Sequence, residues 1–205
     1  MTTPGAPGAP GALDALVAGE FAALAEALAP LGSDRWAADS LCAGWSVAHV
    51  VAHLTMAARY PADRFAAELA ADGYDVTRTS DRLADADAVL PPEVLVADLR
   101  SETMATFAQP GGGMAGSLTH VVIHGLDVTV PLGLGRVGAD QAARTVLDQL
   151  VGPGDRTVFG VDIAGSALRA TDLDWAHGRG EPVTGSAAEL VLALSGRSVG
   201  SVLAR

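Results

Sequence analysis

Apolar residues recur at helical spacing through most of the first three quarters of the chain. Between residues 12 and 31 they return every three to five positions, which predicts a helix that Pro30 and Gly32 bring to an end. Ser46 is a good N-cap for a second helix over 47–58, with Trp45 placed to pack on its first turns. The pattern favours a predominantly helical fold.

The same pattern predicts further helices in the middle of the chain. Pro91 opens one of them, and Ser117 is placed to cap a strongly apolar helix over 118–130. Another is expected over 140–151, where a Gly-Pro-Gly sequence follows. The polar stretch 72–87 fits either a loop or a weak helix.

The pattern changes after residue 155. Residues 157–163 and 166–171 alternate as strands do, and 186–194 has the pattern of a short helix. The predicted fold class is therefore mainly α, a helical bundle followed by a small C-terminal α+β element. The expected divisions are a Pro/Gly/Ala-rich disordered tail at 1–11, the bundle at 12–152 and the α+β element at 153–205.

Composition narrows the class of partner. Acidic residues number 24 and basic residues 13, so the net charge is −11, which argues against nucleic acid and anionic membrane surfaces. All of the basic residues are arginine, and the missing lysine excludes Schiff-base chemistry. No uninterrupted apolar run of about 18 residues predicts a membrane span, and the first residues do not have the pattern of a signal peptide. The expected location is the cytoplasm, and alanine-rich helix faces would allow a homodimer.

Four of the five histidines form two pairs at i, i+4: His49 with His53, and His120 with His124. On a helix this spacing puts both rings on one side, one turn apart, as when a helix supplies two ligands to one metal ion. His120 and His124 lie in an apolar segment, where two imidazoles without partners would be costly to bury. A divalent cation that takes imidazole nitrogen meets that need, and His53 is the natural third ligand.

Alternatives to a metal site stay open on spacing alone. Such a pair can lie on the surface, or it can be a hydrogen-bonded pair within the core. His49 follows the Ser46 cap by three residues, so we expect it at the N3 position rather than at a metal. Cys42, the single cysteine, is either a fourth ligand or a small buried apolar side chain.

Taken together, these motifs resemble the DinB-like superfamily and, within it, the actinobacterial mycothiol-dependent maleylpyruvate isomerase branch. The segments that carry the resemblance are Cys42-Ala43-Gly44-Trp45, Val51-Ala52-His53-Leu54, His120-x-x-x-His124-x-x-Asp127, and the tail segments 170–175, 185–190 and 195–197. The isomerase itself has glutamate where this chain has His120, whereas many DinB-like proteins have three histidines. The resemblance therefore implies a metal site but does not by itself imply the isomerase reaction.

The resemblance implies a four-helix bundle that holds a divalent metal on His53, His120 and His124, with zinc expected first and nickel or iron as alternatives. It implies a low-molecular-weight thiol such as mycothiol as cosubstrate, whose thiolate adds to a small electrophile. In a conjugation the reaction would stop once the thiolate has added to the electrophile. In an isomerisation the addition would be followed by rotation and by elimination of the thiolate. Arg197 either holds a carboxylate at the site or is a surface arginine, and Asp127 either orients a ligand or is an ordinary helix residue.

The functional hypothesis is therefore a metal-dependent thiol transferase or isomerase. A non-catalytic metal or small-molecule binding protein on the same bundle is the alternative. A third possibility has no metal, with the histidines as hydrogen-bonded residues of a structural core.

Overall fold

The computed structural model describes residues 10–197, and within that range it contains eleven helices and three strands. The helices are α1 (Pro10–Leu28), α2 (Ser33–Trp36), α3 (Val47–Leu54), α4 (Met56–Arg59), α5 (Ala62–Ala71), α6 (Val76–Asp87), α7 (Pro92–Leu99), α8 (Glu102–Ala105), α9 (Gly113–Thr129), α10 (Asp140–Val151) and α11 (Ala187–Leu194). The strands are β1 (Ser166–Ala170), β2 (Ala176–Gly178) and β3 (Glu181–Gly185). The predicted fold class, mainly α with a small α+β element, is confirmed.

Four helices close a bundle around the main core. Helix α1 packs against α9 and α7, and α3 packs against the same two helices. Fully buried leucines fill the interior, among them Leu24, Leu95 and Leu118. Burial of such side chains is worth roughly 1.5–3 kcal/mol each, which is why the apolar period along these helices predicts the bundle.

The first helices begin and end slightly differently from their prediction. Helix α1 already includes residues 10 and 11 of the predicted tail, and residues 1–9 of that tail lie outside the described residues. Helix α3 ends at Leu54 instead of continuing to residue 58, and the short α4 follows after Thr55. The Thr55 hydroxyl donates to the Val51 carbonyl at 2.7 Å, which satisfies the end of α3.

The polar stretch 72–87 is largely helix rather than loop. Asp75 caps α6 by accepting from the Arg78 N–H at 3.0 Å. Helix α6 turns Thr79, Leu83 and Ala84 inward and packs against α3. Leu83 and Ala84 lie on the same buried face as Thr79, so α6 is amphipathic although its overall hydrophobicity is low.

The apolar helix α9 begins five residues earlier than predicted, at Gly113. Ser117 is therefore an interior residue of α9 and not its N-cap. Its buried hydroxyl donates to the Phe107 carbonyl at 2.6 Å and accepts from the Gln109 N–H at 2.9 Å. Ser117 thus ties the helix to the preceding loop, a contact that its place in the sequence does not reveal.

A largely buried arginine joins α3, α4, α6 and α7. The Arg59 guanidinium donates to Asp87 at 2.8 Å, to Thr55 at 2.9 Å and also to Asp98. It donates to the Ala52 carbonyl at 2.5 Å as well. These contacts fix α6 and α7 to the end of α3.

The C-terminal sheet has three strands, of which only β1 falls within a predicted strand. Its order is β2-β1-β3, with β1 antiparallel to β2 and parallel to β3. The predicted strand over 157–163 is a loop with one isolated bridge between Arg156 and Asp162. In that loop the Thr157 hydroxyl accepts from the Phe159 and Val161 N–H groups, so the backbone bends back on itself instead of pairing.

Helix α11 returns the chain to the main core. Ser186 and Glu189 form a capping box at its start, and α11 packs against α10 and α9. Leu190 and Leu194 are fully buried. This packing carries Arg197, which follows α11, back to the bundle. No helix among residues 10–197 is both long enough and apolar enough to cross a membrane.

Candidate metal centre

Three histidines from two helices converge inside the bundle. His53 lies in the last turn of α3, and His120 and His124 lie one turn apart on the facing side of α9. The Nε2 atoms of His53 and His120 are 2.9 Å apart, and ligand nitrogens of all three rings lie within 4.8 Å of one another. The ring centroids are 4.7 to 5.0 Å apart and the rings are nearly perpendicular to each other. The structure therefore brings together the three residues that the sequence predicts as metal ligands.

Burial keeps His53 and His120 uncharged. It lowers the pKa of His53 to about 3, with the neighbouring His124 acting in the same direction. The pKa of His120 is also lowered, first by burial and then by the two other histidines. Neutral imidazole is the form that binds a metal ion, so His53 and His120 are ready to act as ligands at neutral pH.

Polar partners hold the outer nitrogens of two of the rings. Ser80 Oγ on α6 lies 2.9 Å from His53 Nδ1. Asp127 Oδ2, one turn beyond His124, lies 2.9 Å from His124 Nδ1. Such partners fix the tautomer and the ring orientation, which leaves the inner nitrogen free as an acceptor or ligand.

Ser80 is a site residue that the sequence analysis missed. It lies 27 positions after His53 in a polar helix, and no spacing rule connects the two. It reaches the histidine only because α6 packs on α3. A serine within a polar stretch carries no local signal of this role.

Asp127 is the centre of a second group of polar side chains. Its carboxylate is fully buried and accepts from Arg197 Nε at 3.1 Å, from Arg197 Nη2 at 2.9 Å and from the Cys42 thiol at 3.2 Å. Burial alone would raise the pKa of Asp127, but the hydrogen bonds from His124 and Arg197 outweigh it and hold the pKa below its usual value. Asp127 is therefore an ionised acceptor that joins His124 to Arg197.

Cys42 takes part in this group as a thiol. Its pKa is raised to about 12, first by burial and then by the Asp127 carboxylate, while Arg197 acts in the opposite direction. Its sulfur lies 3.8 Å from His124 Nδ1, on the side of that ring that faces Asp127. The protonated thiol donates to a carboxylate that already serves His124.

Trp45 and the two remaining histidines lie around the cluster or outside it. His49 occupies the N3 position of α3, as predicted, with Nδ1 2.7 Å from Ser46 Oγ in a capping box. The Trp45 ring lies beside His53, with centroids 5.3 Å apart. His177 lies on β2, stacked at 6.4 Å on Trp175. Only one member of the first histidine pair therefore belongs to the cluster.

The donor set fits a divalent cation. Three imidazoles from two helices form a typical partial shell for zinc, and such a shell leaves positions for water or substrate. Nickel and iron also accept imidazole nitrogen, so the residues present do not select one of the three metals.

Comparison with known proteins gives a family match over the first half of the chain. Residues 17–112 match the family model described as the mycothiol maleylpyruvate isomerase N-terminal domain. This match confirms the resemblance derived from the motifs, and it includes His53 and Ser80. No curated protein matches the sequence.

The fold is similar to that of solved structures over most of the chain. One is described as the crystal structure of the mycothiol-dependent maleylpyruvate isomerase, with a TM-score of 0.57, 16% sequence identity, and coverage of 92% of this chain and 89% of that one. A second, a histidine-to-alanine mutant of the isomerase, gives a TM-score of 0.56 at the same identity and coverage. At this identity the similarity establishes the fold, and it covers far more of the chain than the family match does.

Proposed function

We propose, from the premise that residues 17–112 match the mycothiol maleylpyruvate isomerase N-terminal domain, that the protein is a metal-dependent enzyme that uses a low-molecular-weight thiol. The thiol is of the mycothiol kind, and the second substrate is a small electrophile that is conjugated or isomerised. The observation that carries the proposal is the convergence of three imidazoles, two of them kept neutral by burial, from α3 and α9.

His53, His120 and His124 would hold the metal, with zinc proposed first because three imidazoles suit its preferred shell. A divalent cation bound there supplies a Lewis acid that lowers the pKa of a thiol, so that the nucleophilic thiolate forms near neutral pH. A thiol cosubstrate and one free cysteine both fit a reducing compartment, so we propose a cytoplasmic enzyme.

Ser80 and Asp127 act as positioning residues in this proposal. If His53 held the metal through Nε2, its Nδ1–H would donate to Ser80 Oγ, which lies 2.9 Å away. In the same way His124 Nδ1–H donates to Asp127 Oδ2 at 2.9 Å. Each contact selects the tautomer whose lone pair faces into the cluster.

Arg197 completes this set through Asp127. Its Nε and Nη2 both donate to the Asp127 carboxylate, and Nη1 donates to the Ser195 carbonyl at 3.1 Å. With these donors engaged, we propose that Arg197 keeps Asp127 ionised and fixed, instead of holding a substrate carboxylate directly. Asp127 and Arg197 then support catalysis by orienting His124.

The first test is elemental analysis of tag-free, chelator-washed protein together with thiol-dependent turnover. We expect close to one zinc, nickel or iron per chain after reloading, and we expect His53→Ala to lose metal and turnover together. His177→Ala is the matched control, because His177 lies outside the cluster, and it should keep both. Stoichiometric metal in His53→Ala would reject the assigned ligands.

The alternative function is a non-catalytic binding protein on the same bundle. Turnover of electrophiles that requires both the thiol and the metal supports the enzyme. Tight metal binding without turnover across a panel of electrophiles supports the binding protein. Failure to bind any of the three metals would leave a structural histidine cluster.

A further inference from the structure

A small cavity lies beside α9, on a different side from the histidines. Its lining includes Glu20 from α1, Gly125 and Thr129 from α9, and Arg136 and Gly138 from the segment after α9. Around the helix, Gly125 and Thr129 are turned away from His124 by roughly 100–140°. The cavity volume is about 20 Å³, which is room for one water molecule and not for a thiol or a cofactor.

Two polar groups at this cavity have no hydrogen-bond partner among residues 10–197. One is the hydroxyl of Thr129, a residue that is 1% exposed, and the other is Arg136 Nε. A buried donor without a partner loses its hydration and gains nothing in return, so folded proteins rarely keep one. These two groups indicate a bound molecule that offers oxygen lone pairs.

The third polar group is the carboxylate of Glu20. Its Oε1 accepts from the Ala139 N–H at 2.7 Å, and a Cβ at Gly138 would lie 1.7 Å from its Oε2. Glycine at position 138 therefore lets the backbone seat this carboxylate. Burial raises the pKa of Glu20, whereas the Ala139 N–H and Arg136 act to lower it.

We infer that one ordered water molecule binds in this cavity and bridges Thr129, Arg136 and Glu20. The water accepts from the Thr129 hydroxyl and from Arg136 Nε–H, and it donates to the Glu20 carboxylate. These three partners fall within the two to four that buried waters commonly have. The bridge joins α1, α9 and the segment after α9, so it holds α9 from the side that the histidines do not use.

Replacement of Thr129 tests the bridge because the change in melting temperature depends on whether the water is bound. Thr129→Val keeps the shape and removes the hydroxyl. If the water is bound, the melting temperature should fall by roughly 2–4 °C, because one bridging hydrogen bond is lost. An unchanged or raised melting temperature would mean that the hydroxyl had no partner, and would overturn the inference.

Crystal structures give a readout that does not depend on stability. Wild type and Thr129→Ser, which keeps the hydroxyl, should show an ordered water about 2.7–3.2 Å from the residue-129 oxygen. Thr129→Val should lack it or show it displaced. A dry cavity in the wild-type crystal would refute the inference, even if Thr129→Val failed to fold.

Gly125→Ala is a second and independent probe. Its new methyl group would meet no atom within 4 Å, so it enters open space at the cavity without a clash. Alanine is more favourable than glycine within a helix, so the substitution should raise the melting temperature. We expect this gain to be larger in the Thr129→Val background, where the bridge is already broken, than in wild type. Equal gains in the two backgrounds would contradict the bridge.

Discussion

Acid should destabilise the metal-free protein because His53 is largely buried in its neutral form. The pKa of His53 is about 3 in the folded protein, against an ordinary value of 6.5. Between these two pH values the unfolded chain binds a proton that the folded protein does not bind. The contribution of His53 to stability is therefore complete above pH 6.5 and falls as the pH is lowered toward 3.

The size of the effect follows from the two pKa values. Each pH unit inside this window removes up to about 1.4 kcal/mol of unfolding free energy for one group. Between pH 7 and pH 5, His53 alone should account for about 2 kcal/mol, or roughly 4–8 °C in melting temperature for a chain of this length. His120 should add to this loss, since its pKa is lowered by burial as well.

Thermal unfolding of chelator-treated protein at pH 7 and pH 5 measures the effect. His53→Gln removes the titrating group, so its melting temperature should fall less between the two pH values than that of wild type. His177→Gln, outside the cluster, should keep the full wild-type drop. If His53→Gln kept the whole drop, the buried neutral histidine would not be its source.

Three further substitutions test the contacts around the site and the bundle. Ser80→Ala should weaken metal affinity roughly 10–100-fold in a chelator competition titration, and Ser80→Thr should restore most of it, because only the hydroxyl contacts His53. Asp127→Asn should lower metal affinity by a similar factor. It should also lower the free energy of unfolding in urea by about 1–3 kcal/mol, because Arg197 loses its ionic partner. Unchanged affinity and stability would contradict the positioning role of Asp127. Arg59→Met should lower the free energy of unfolding by about 3 kcal/mol in the same assay, because the carboxylates of Asp87 and Asp98 lose their shared cation. A loss near zero would show that solvent replaces the guanidinium.

Much of the fold follows from local sequence, because a helix is specified over short spans. The apolar period predicts α1, α3 and α10, and Ser46 with His49 predicts the start of α3 to the residue. Within α9, the i, i+4 spacing puts His120 and His124 on one side without any information from the rest of the chain. The motif around His53 then supplied the third histidine.

Tertiary packing decided the features whose partners are distant in sequence. Ser80 contacts His53 because α6 packs on α3, and Arg197 contacts Asp127 because α11 returns to the core. Ser117 resembles an N-cap, yet its hydroxyl bonds to the preceding loop and leaves the start of α9 to Gly113. Capping and periodicity act within a few residues, whereas these contacts join residues that only the packed helices bring together. The sequence thus determined the main helices of the bundle and the shared face of His120 and His124, whereas the tertiary structure determined that α6 is a helix and what holds the histidines in place.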